Sequence, residues 1–172
     1  LGRRTDGRTG EAPDFAAHNA LARRAAAASM VLLKNDGGLL PFSPGASLAV
    51  IGELARTPRY QGSGSSRVNP TRLSTPWSAI SDRAAQASFS PGYSLGDLEP
   101  DTELIEEAVR AAAAADQVAV FLGLPDAAET EGLDRSTLEL PDAQLRLLDA
   151  VTRVRPDVAV ILANGSVVDT AW

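Results

Sequence analysis

Cysteine is absent from the sequence, and histidine occurs once, as His18. Without cysteine there is no disulfide framework and no thiolate metal site. A single histidine also excludes a histidine-rich metal centre within this chain. We therefore expect neither a metal nor a cofactor.

Long apolar runs and clusters of basic residues are missing as well. No apolar stretch approaches the ~20 residues that a membrane-spanning helix needs, and residues 1–12 lack the apolar stretch of a signal peptide. The formal net charge is −6 and the arginines are scattered. These features predict no membrane partner and no nucleic-acid partner, because binding to phosphates requires a basic face. Whether the protein is cytoplasmic or secreted is left open.

The length and composition of the chain are sufficient for one domain with a hydrophobic core. It has 172 residues, of which 44% are hydrophobic and 22% charged, as is usual for a globular protein. Residues 1–13 are polar and rich in glycine and arginine, which is typical of a linker. The sequence therefore predicts a linker over residues 1–13 and a domain over residues 14–172.

Short apolar segments alternate with helical patterns along that domain. Helices are predicted at about residues 14–30, 76–85, 101–115 and 142–154. Asp14 is the expected N-cap of the first helix. Strands are predicted at residues 48–52, 87–89, 118–123 and 158–163. This alternation indicates an α/β fold in which a parallel-rich sheet has helices on both faces, a three-layer α/β/α sandwich.

An acidic segment follows the apolar strand predicted at residues 118–123. It reads Glu-Thr-Glu-Gly-Leu-Asp-Arg over residues 129–135. Loops at the C-terminal ends of strands carry the ligand-binding residues of open α/β sheets. Glu129, Glu131, Asp134 and Arg135 are therefore candidates for acid–base chemistry or for gripping sugar hydroxyls. The alternative is a solvated acidic loop in which Arg135 pairs with Asp134.

A second candidate is the segment Gln-Gly-Ser-Gly-Ser-Ser-Arg at residues 61–67. Its glycines allow the backbone to approach a ligand, and its serines offer hydroxyl groups. It lacks the Gly-Lys-Ser/Thr ending of a phosphate-binding loop, and it does not lead directly into a helix. A Rossmann-like nucleotide site is therefore disfavoured, and a surface turn remains the alternative.

The other chemically interesting residues have simpler interpretations. His18 lies in a helical pattern without a metal-like neighbour, so a structural role is expected. Packing is the expected role of Trp77 and Trp172, although both are able to stack on sugars. The pair at residues 34–35, Lys-Asn, ends a helical segment or reaches a ligand.

Together these segments resemble the second, α/β sandwich domain of family 3 glycoside hydrolases, the β-glucosidase family. The resemblance covers about residues 18–172. Its motifs, in order, are the helix and Val-Leu-Leu-Lys-Asn segment of residues 18–35, Leu-Leu-Pro at 39–41, the strand at 48–52, the Gly/Ser segment at 61–66, the acidic segment at 129–135, and Leu-Glu-Leu-Pro with Gln144 at 138–144.

The resemblance implies a retaining mechanism with two carboxylates. The nucleophile would be an aspartate on a preceding (β/α)8 barrel, in a Ser-Asp-Trp-like motif that this sequence lacks. The chain is also too short to include such a barrel of ~250 residues. The general acid/base would lie on the acidic segment, where Glu131 is the best match and Glu129 the second choice.

The same resemblance implies the partners. A β-glucoside-type sugar would contact Gly62, Ser63, Gly64, Ser65 and Ser66, together with Asp134 and Arg135. The missing barrel of the same polypeptide would complete the site, so the fragment alone would be inactive. Because an arginine near the acid would keep it ionised, Arg135 is expected to pair with Asp134 or to point away from Glu131. The family domain continues with further sheet elements, which makes self-association an expectation. The alternative function is a non-catalytic carbohydrate-binding or scaffolding domain.

Overall fold

The computed structural model describes residues 12–172, which form two compact units. The first unit contains the described residues up to Lys34 together with the separate segment Pro70–Arg72. The second unit comprises Asn35–Asn69 and Leu73–Trp172. Of the predicted linker, residues 1–11 lie outside the described part of the chain. The domain predicted over residues 14–172 thus includes a helix that belongs to the first unit.

That helix is α1, Phe15–Ser29. Its alanine-rich sequence has high helix propensity. Asp14 caps it as predicted, since its Oδ1 accepts a 2.9 Å hydrogen bond from the amide of Ala17. The helix ends at Met30, whose backbone is extended.

A four-stranded parallel sheet dominates the second unit. The strands are β1 (Ser47–Ile51), β2 (Gln86–Ser90), β3 (Gln117–Gly123) and β4 (Ala159–Ala163), in the spatial order β2-β1-β3-β4. The helices are α2 (Pro76–Ser81), α3 (Thr102–Ala114) and α4 (Asp142–Val154). The predicted alternation of strands and helices is confirmed. None of the helices described in residues 12–172 has the length and apolar character that a membrane crossing needs.

Capping residues fix where the helices begin. The Thr75 hydroxyl accepts from the amide of Ser78, and proline follows at the first position of α2. Asp101 caps α3 by accepting from the amides of Glu103 and Leu104. The prediction that α2 continues to about residue 85 is wrong: it ends at Ser81, because the chain must become extended to enter β2.

The burial of each strand follows its place in the sheet. The inner strands β1 and β3 are almost entirely buried, and Val50, Val118 and Val120 have no exposed surface. The edge strand β2 alternates between exposed and covered residues. Continuous apolar sequence therefore marks the inner strands, as expected for strands that are covered on both faces.

The strand order determines where the helices lie and where a ligand fits. From β1 the chain moves one way to β2, and then the other way to β3 and β4. Right-handed crossovers place α2 on one face and α3 with α4 on the other, and α3 contacts α4. The strand order reverses between β1 and β3, where open sheets of this type form a crevice at the carboxyl ends of their strands.

Two buried polar side chains hold the end of β3 in place. The amide of Gln144 bonds Gly123 twice, donating to its carbonyl at 2.8 Å and accepting from its N–H at 2.9 Å. The hydroxyl of Tyr93 donates to the carbonyl of Phe121 at 2.8 Å. The loop that leaves β3 therefore starts from a fixed backbone position.

Candidate functional site

A cavity of about 570 Å³ lies at the carboxyl ends of β1, β3 and β4. The loops after these three strands supply its walls. The lining residues are Arg59, Tyr60, Gln61, Gly62, Ser63, Glu129, Thr130, Glu131, Leu162, Ala163, Asn164 and Gly165. Both acidic candidates thus share one cavity with part of the Gly/Ser segment, at the crevice that the strand order predicts.

Glu131 is exposed and is held by Ser65. The amide of Ser65 donates to Oε2 of Glu131 at 2.6 Å. The hydroxyl of Ser65 and then its N–H lower the pKa of Glu131 below the ordinary 4.5, against a smaller desolvation effect. In the chain as described, Glu131 is therefore an ionised carboxylate at neutral pH.

Gly64 makes this contact possible. Its φ is +81°, and a Cβ built on it would lie 2.5 Å from Oε2 of Glu131 and 2.8 Å from the Glu131 Cβ. Only glycine combines this backbone conformation with such an approach. The sequence predicts that the glycines of this segment let the backbone approach a ligand, whereas Gly64 approaches a side chain of the protein itself.

Glu129 is in a different environment from Glu131. Its side chain is only 19% exposed, and its Oε2 lies 2.9 Å from Nη1 of Arg59. A hydrogen bond from the Ser166 hydroxyl, opposed by desolvation and assisted by the charge of Arg59, lowers the pKa of Glu129. Glu129 is therefore an ion-paired and largely covered anion.

Arg59 connects the loops at the strand ends, a role that no sequence motif indicates. It donates to the carbonyl oxygens of Leu124 (2.6 Å) and Glu129 (2.8 Å), besides its ion pair with the Glu129 carboxylate. Its side chain is 12% exposed. The only signal in the sequence is its position just before the Gly/Ser segment.

The Gly/Ser segment forms a closed loop. The side-chain amide of Gln61 donates to the carbonyl of Val68 and accepts from its N–H, which joins the two ends of the loop. Gly62 and Ser63 line the cavity. Gly64–Ser66 form a 3-10 turn in which the Ser66 hydroxyl lies 3.5 Å from the carbonyl of Ser63.

Asp134 and Arg135 do not line the cavity. Arg135 does not pair with Asp134 in this structure; its Nη1 donates to the hydroxyl of Ser166 (2.9 Å) and to the carbonyl of Val167 (2.8 Å). Of the two expected arrangements, Arg135 does not form the pair with Asp134, because it bonds the chain that follows β4. The other, that Arg135 points away from Glu131, stays a prediction. The charge of Arg135 also helps to lower the pKa of Glu129.

The remaining polar and aromatic candidates have structural contacts. The Asn35 side chain bonds both backbone groups of Leu40. The ring of Trp77 packs against Phe89 at 5.4 Å, and Nε1 of Trp172 donates to the carbonyl of Asp169. His18 lies exposed on α1, and residues 12–172 contain no group of three or more histidines, aspartates and glutamates placed to hold a metal ion.

Two cavity residues after β4, Asn164 and Gly165, were not among the predicted site residues. A Cβ on Gly165 would lie 3.0 Å from Oε2 of Glu129, so the backbone runs close to that carboxylate. The sequence indicates only that this pair ends a strand. Recognising it as part of the site requires knowing that β4 lies beside β3.

The fold and the cavity define a class of protein. This is an α/β sandwich domain with a crevice at the reversal of strand order, and two carboxylates line that crevice. One of them is fixed by an arginine, and the other is exposed at the rim. Such a crevice suits a neutral ligand rich in hydroxyl groups, because carboxylates accept hydrogen bonds from hydroxyls.

Comparison with known proteins identifies the family. Residues 30–172 match the Glycosyl hydrolase family 3 C-terminal domain, so the chain belongs to this family. It is 47% identical over 168 residues to an exo-α-(1→6)-L-arabinopyranosidase of Bifidobacterium breve, and 45% identical over 162 residues to thermostable β-glucosidase B of Acetivibrio thermocellus. In both comparisons 92% of this chain is covered.

A solved structure confirms the architecture. The crystal structure of a family 3 β-glucosidase of Bifidobacterium adolescentis superposes with a TM-score of 0.90, at 48% identity over 96% of this chain. The chain covers 24% of that protein and 22% of the two relatives above. It is therefore similar to one domain of larger glycoside hydrolases, as the sequence resemblance implies.

Proposed function

We propose that this domain supplies the general acid/base of a retaining β-glucosidase-type glycoside hydrolase, with Glu131 in that role. The nucleophilic aspartate would come from a (β/α)8 barrel of the same polypeptide. The observation that carries the proposal is the contrast between the two carboxylates of the cavity: Arg59 forms an ion pair with Glu129, whereas the contact that holds Glu131 is the neutral amide of Ser65.

A proton donor must be protonated before it acts, and this requirement favours Glu131 over Glu129. An adjacent cation stabilises the ionised form of a carboxylate. Glu129 carries such a cation and is largely covered, which suits a fixed anion. Glu131 is exposed at the rim of the cavity, where a second domain is able to approach it.

The partner domain would adjust the pKa of Glu131. In the chain alone, Ser65 keeps this pKa low. In retaining glycosidases the two carboxyl groups lie about 5–5.5 Å apart. A nucleophilic carboxylate at that distance, in a site closed to water, raises the pKa of its neighbour by charge repulsion and desolvation. This dependence on the barrel is the reason for expecting the fragment alone to be inactive.

The proposed reaction has two steps. Glu131 first gives its proton to the glycosidic oxygen while the aspartate bonds to the anomeric carbon and the aglycone departs. Glu131, now ionised, then takes a proton from the water that attacks the anomeric carbon, and the bond from that carbon to the aspartate breaks to release the sugar. Gly62 and Ser63 would contact sugar hydroxyls in the cavity. Of the other residues predicted to bind substrate, Gly64, Ser65 and Ser66 would support Glu131 and its loop, and Asp134 and Arg135 would support the strand ends.

The experiment is Glu131→Gln in the barrel-containing protein, assayed on aryl β-glucosides with good and poor leaving groups. General acid catalysis contributes about 10²–10⁴-fold. We expect a loss of that order on poor leaving groups and a far smaller loss of the glycosylation rate on activated ones. Glu139→Gln removes an exposed carboxylate four residues after the acidic segment and is the matched control. An equal loss on both substrates would exclude the acid role.

A non-catalytic sugar-binding or scaffolding domain is the second candidate. The observation that favours it is the low pKa of Glu131, caused by Ser65, because an ionised carboxylate accepts hydrogen bonds from sugar hydroxyls. This candidate predicts unchanged hydrolysis by the Glu129→Gln/Glu131→Gln double variant of the barrel-containing protein. It is also tested by the 172-residue chain alone, for which the proposed function predicts no turnover of aryl β-glucosides.

A further inference from the structure

The side chain of Arg59 joins the loop after β1 to the loop after β3, because it contacts both the backbone and a side chain of the latter loop. It donates to the carbonyl oxygens of Leu124 and Glu129, and its Nη1 lies 2.9 Å from the Glu129 carboxylate. The planar guanidinium holds several acceptors at once in a fixed geometry, which lysine cannot do. Glu129 is thus fixed at its backbone and at its carboxylate by the same side chain.

A second arginine in the same region provides a comparison. Arg67 also connects the Gly/Ser loop to the segment after β3, through an ion pair with Asp126, but its side chain is 60% exposed whereas that of Arg59 is 12% exposed. Exposed pairs contribute little to structure, and breaking a covered pair leaves a charge without compensation. Of these two arginines, Arg59 is therefore the one that fixes the loop.

Glu129 also lies against the third loop of the site. Interactions with the Ser166 hydroxyl and the Gly165 N–H contribute to the low pKa of its carboxyl group. The backbone at Gly165 approaches so closely that an added Cβ would lie 3.0 Å from Oε2 of Glu129. The Glu129 carboxylate therefore lies where the loops after β1, β3 and β4 meet.

Glu131 is only two residues away from this junction. Thr130, which lies between Glu129 and Glu131, pairs with Leu133 in an isolated β-bridge around Gly132, whose φ is +83°. We propose that Arg59 is a positioning residue that places the carboxylate of Glu131 through Glu129, and that Glu129 is its permanent counter-ion and not a proton donor. This inference rests on the proposed function of Glu131 only for its kinetic consequence.

The first test needs no catalysis. The pKa of Glu131 is followed by carboxyl-carbon NMR in the 172-residue chain, in wild type, Arg59→Gln and Arg67→Gln. The groups that lower this pKa are both on Ser65, so loss of the Ser65 contact raises it, and Arg59→Lys, which keeps a positive charge beside Glu129, separates that movement from the direct effect of the lost charge. We expect the pKa to rise toward 4.5 in Arg59→Gln and to stay low in Arg67→Gln. A pKa that stays low in folded Arg59→Gln would overturn the proposal.

The second test measures coupling in the barrel-containing protein. A displacement of about 1 Å costs on the order of 10²-fold in rate. We therefore expect Arg59→Gln to lower kcat on substrates with poor leaving groups by about ten- to a hundredfold. In the Glu131→Gln background, the same substitution should lower kcat by less than about threefold further. Multiplicative losses in the double variant would overturn the proposal, even if the acid role of Glu131 holds.

The conservative variant Arg59→Lys shows whether the effects of Arg59→Gln come from misfolding. Arg59→Lys keeps the charge next to Glu129 but cannot also reach the carbonyl oxygens of Leu124 and Glu129. We expect a smaller loss than in Arg59→Gln, with the same dependence on the leaving group. A loss that is equal for good and poor leaving groups would contradict positioning through Glu131. Conversely, if Glu131→Gln itself shows no leaving-group dependence, the proposed function fails while the NMR result still decides the role of Arg59.

Discussion

The amide of Ser65 donates a 2.6 Å hydrogen bond to Oε2 of Glu131, which lies 66 residues further along the chain. The bond joins the loop after β1 to the loop after β3, across the point where the strand order reverses. It gives the exposed carboxylate of the cavity a defined position even without a partner domain. It also lowers the pKa of Glu131.

Ser65→Ala is expected to raise the pKa of Glu131 in the 172-residue chain, because the Ser65 hydroxyl is the largest cause of its low value. The backbone N–H remains, so the pKa should stay below 4.5. Carboxyl-carbon NMR titration measures the change, and Ser66→Ala is the matched control. An unchanged pKa in Ser65→Ala would contradict the role of the hydroxyl.

The same variant should alter how stability depends on pH. A carboxylate whose pKa is lower in the folded chain stabilises the fold above its unfolded pKa, and this contribution is lost as pH falls through the folded value. The window for Glu131 therefore lies below about 4.5. Ser65→Ala should show a weaker loss of stability in that window than the wild type, as measured by urea unfolding at a series of pH values.

Gly64→Ala is expected to displace Glu131, since the new Cβ would overlap its carboxylate. A residue with a side chain at positive φ also costs about 1–2 kcal/mol. Gly38→Ala has a similar φ of +64° and open space around it, so it carries the backbone cost without the collision. Thermal unfolding should show a loss for both variants, and the loss should be at least as large for Gly64→Ala because the collision adds to the backbone cost.

Activity should separate these two glycine variants. In the barrel-containing protein, only Gly64→Ala should lower turnover of substrates with poor leaving groups. Equal activity of the two variants would mean that the approach of Gly64 to Glu131 has no catalytic consequence.

Gln144→Leu is expected to destabilise the domain by about 2–5 kcal/mol. The substitution leaves the N–H and the carbonyl of Gly123 buried without their partner, at about 1–3 kcal/mol each. Gln86→Leu, on the exposed edge strand, should change the free energy of unfolding by less than about 0.5 kcal/mol. Urea denaturation of both variants measures the difference, and equal values would show that Gln144 does not hold the end of β3.

The sequence was a good guide to local structure where local signals agree. Helix α4 begins and ends where its apolar periodicity and the preceding proline indicate, and Asp101 caps α3. The alternation of apolar strands with these helices was enough to predict the parallel sheet. Because parallel strands share one carboxyl edge, the fold brings the acidic and Gly/Ser loops together; the sequence indicated this only through its resemblance to family 3 glycoside hydrolases.

The long-range contacts could not be predicted, because no local sequence pattern encodes them. Arg59 and Glu129 are 70 residues apart, and nothing in their immediate neighbours marks them as partners. The hydrogen bond from Ser65 to Glu131 is donated by a backbone N–H. Because every residue except proline carries such a group, the sequence does not mark it. Arg135 was expected to pair with its neighbour Asp134 or to point away from Glu131, and its bonds go to Ser166 and Val167, which only the fold brings near.

A pre-steady-state measurement on Glu131→Gln in the barrel-containing protein tests the acid/base role of Glu131 most directly. With an activated aryl β-glucoside, formation of the glycosyl–enzyme needs little acid assistance, whereas its hydrolysis needs Glu131 as a base. We expect a burst of about one equivalent of phenolate per active site, followed by turnover that is slower than in the wild type by about 10²-fold or more. Linear release without a burst, at a rate close to that of the wild type, would contradict this role.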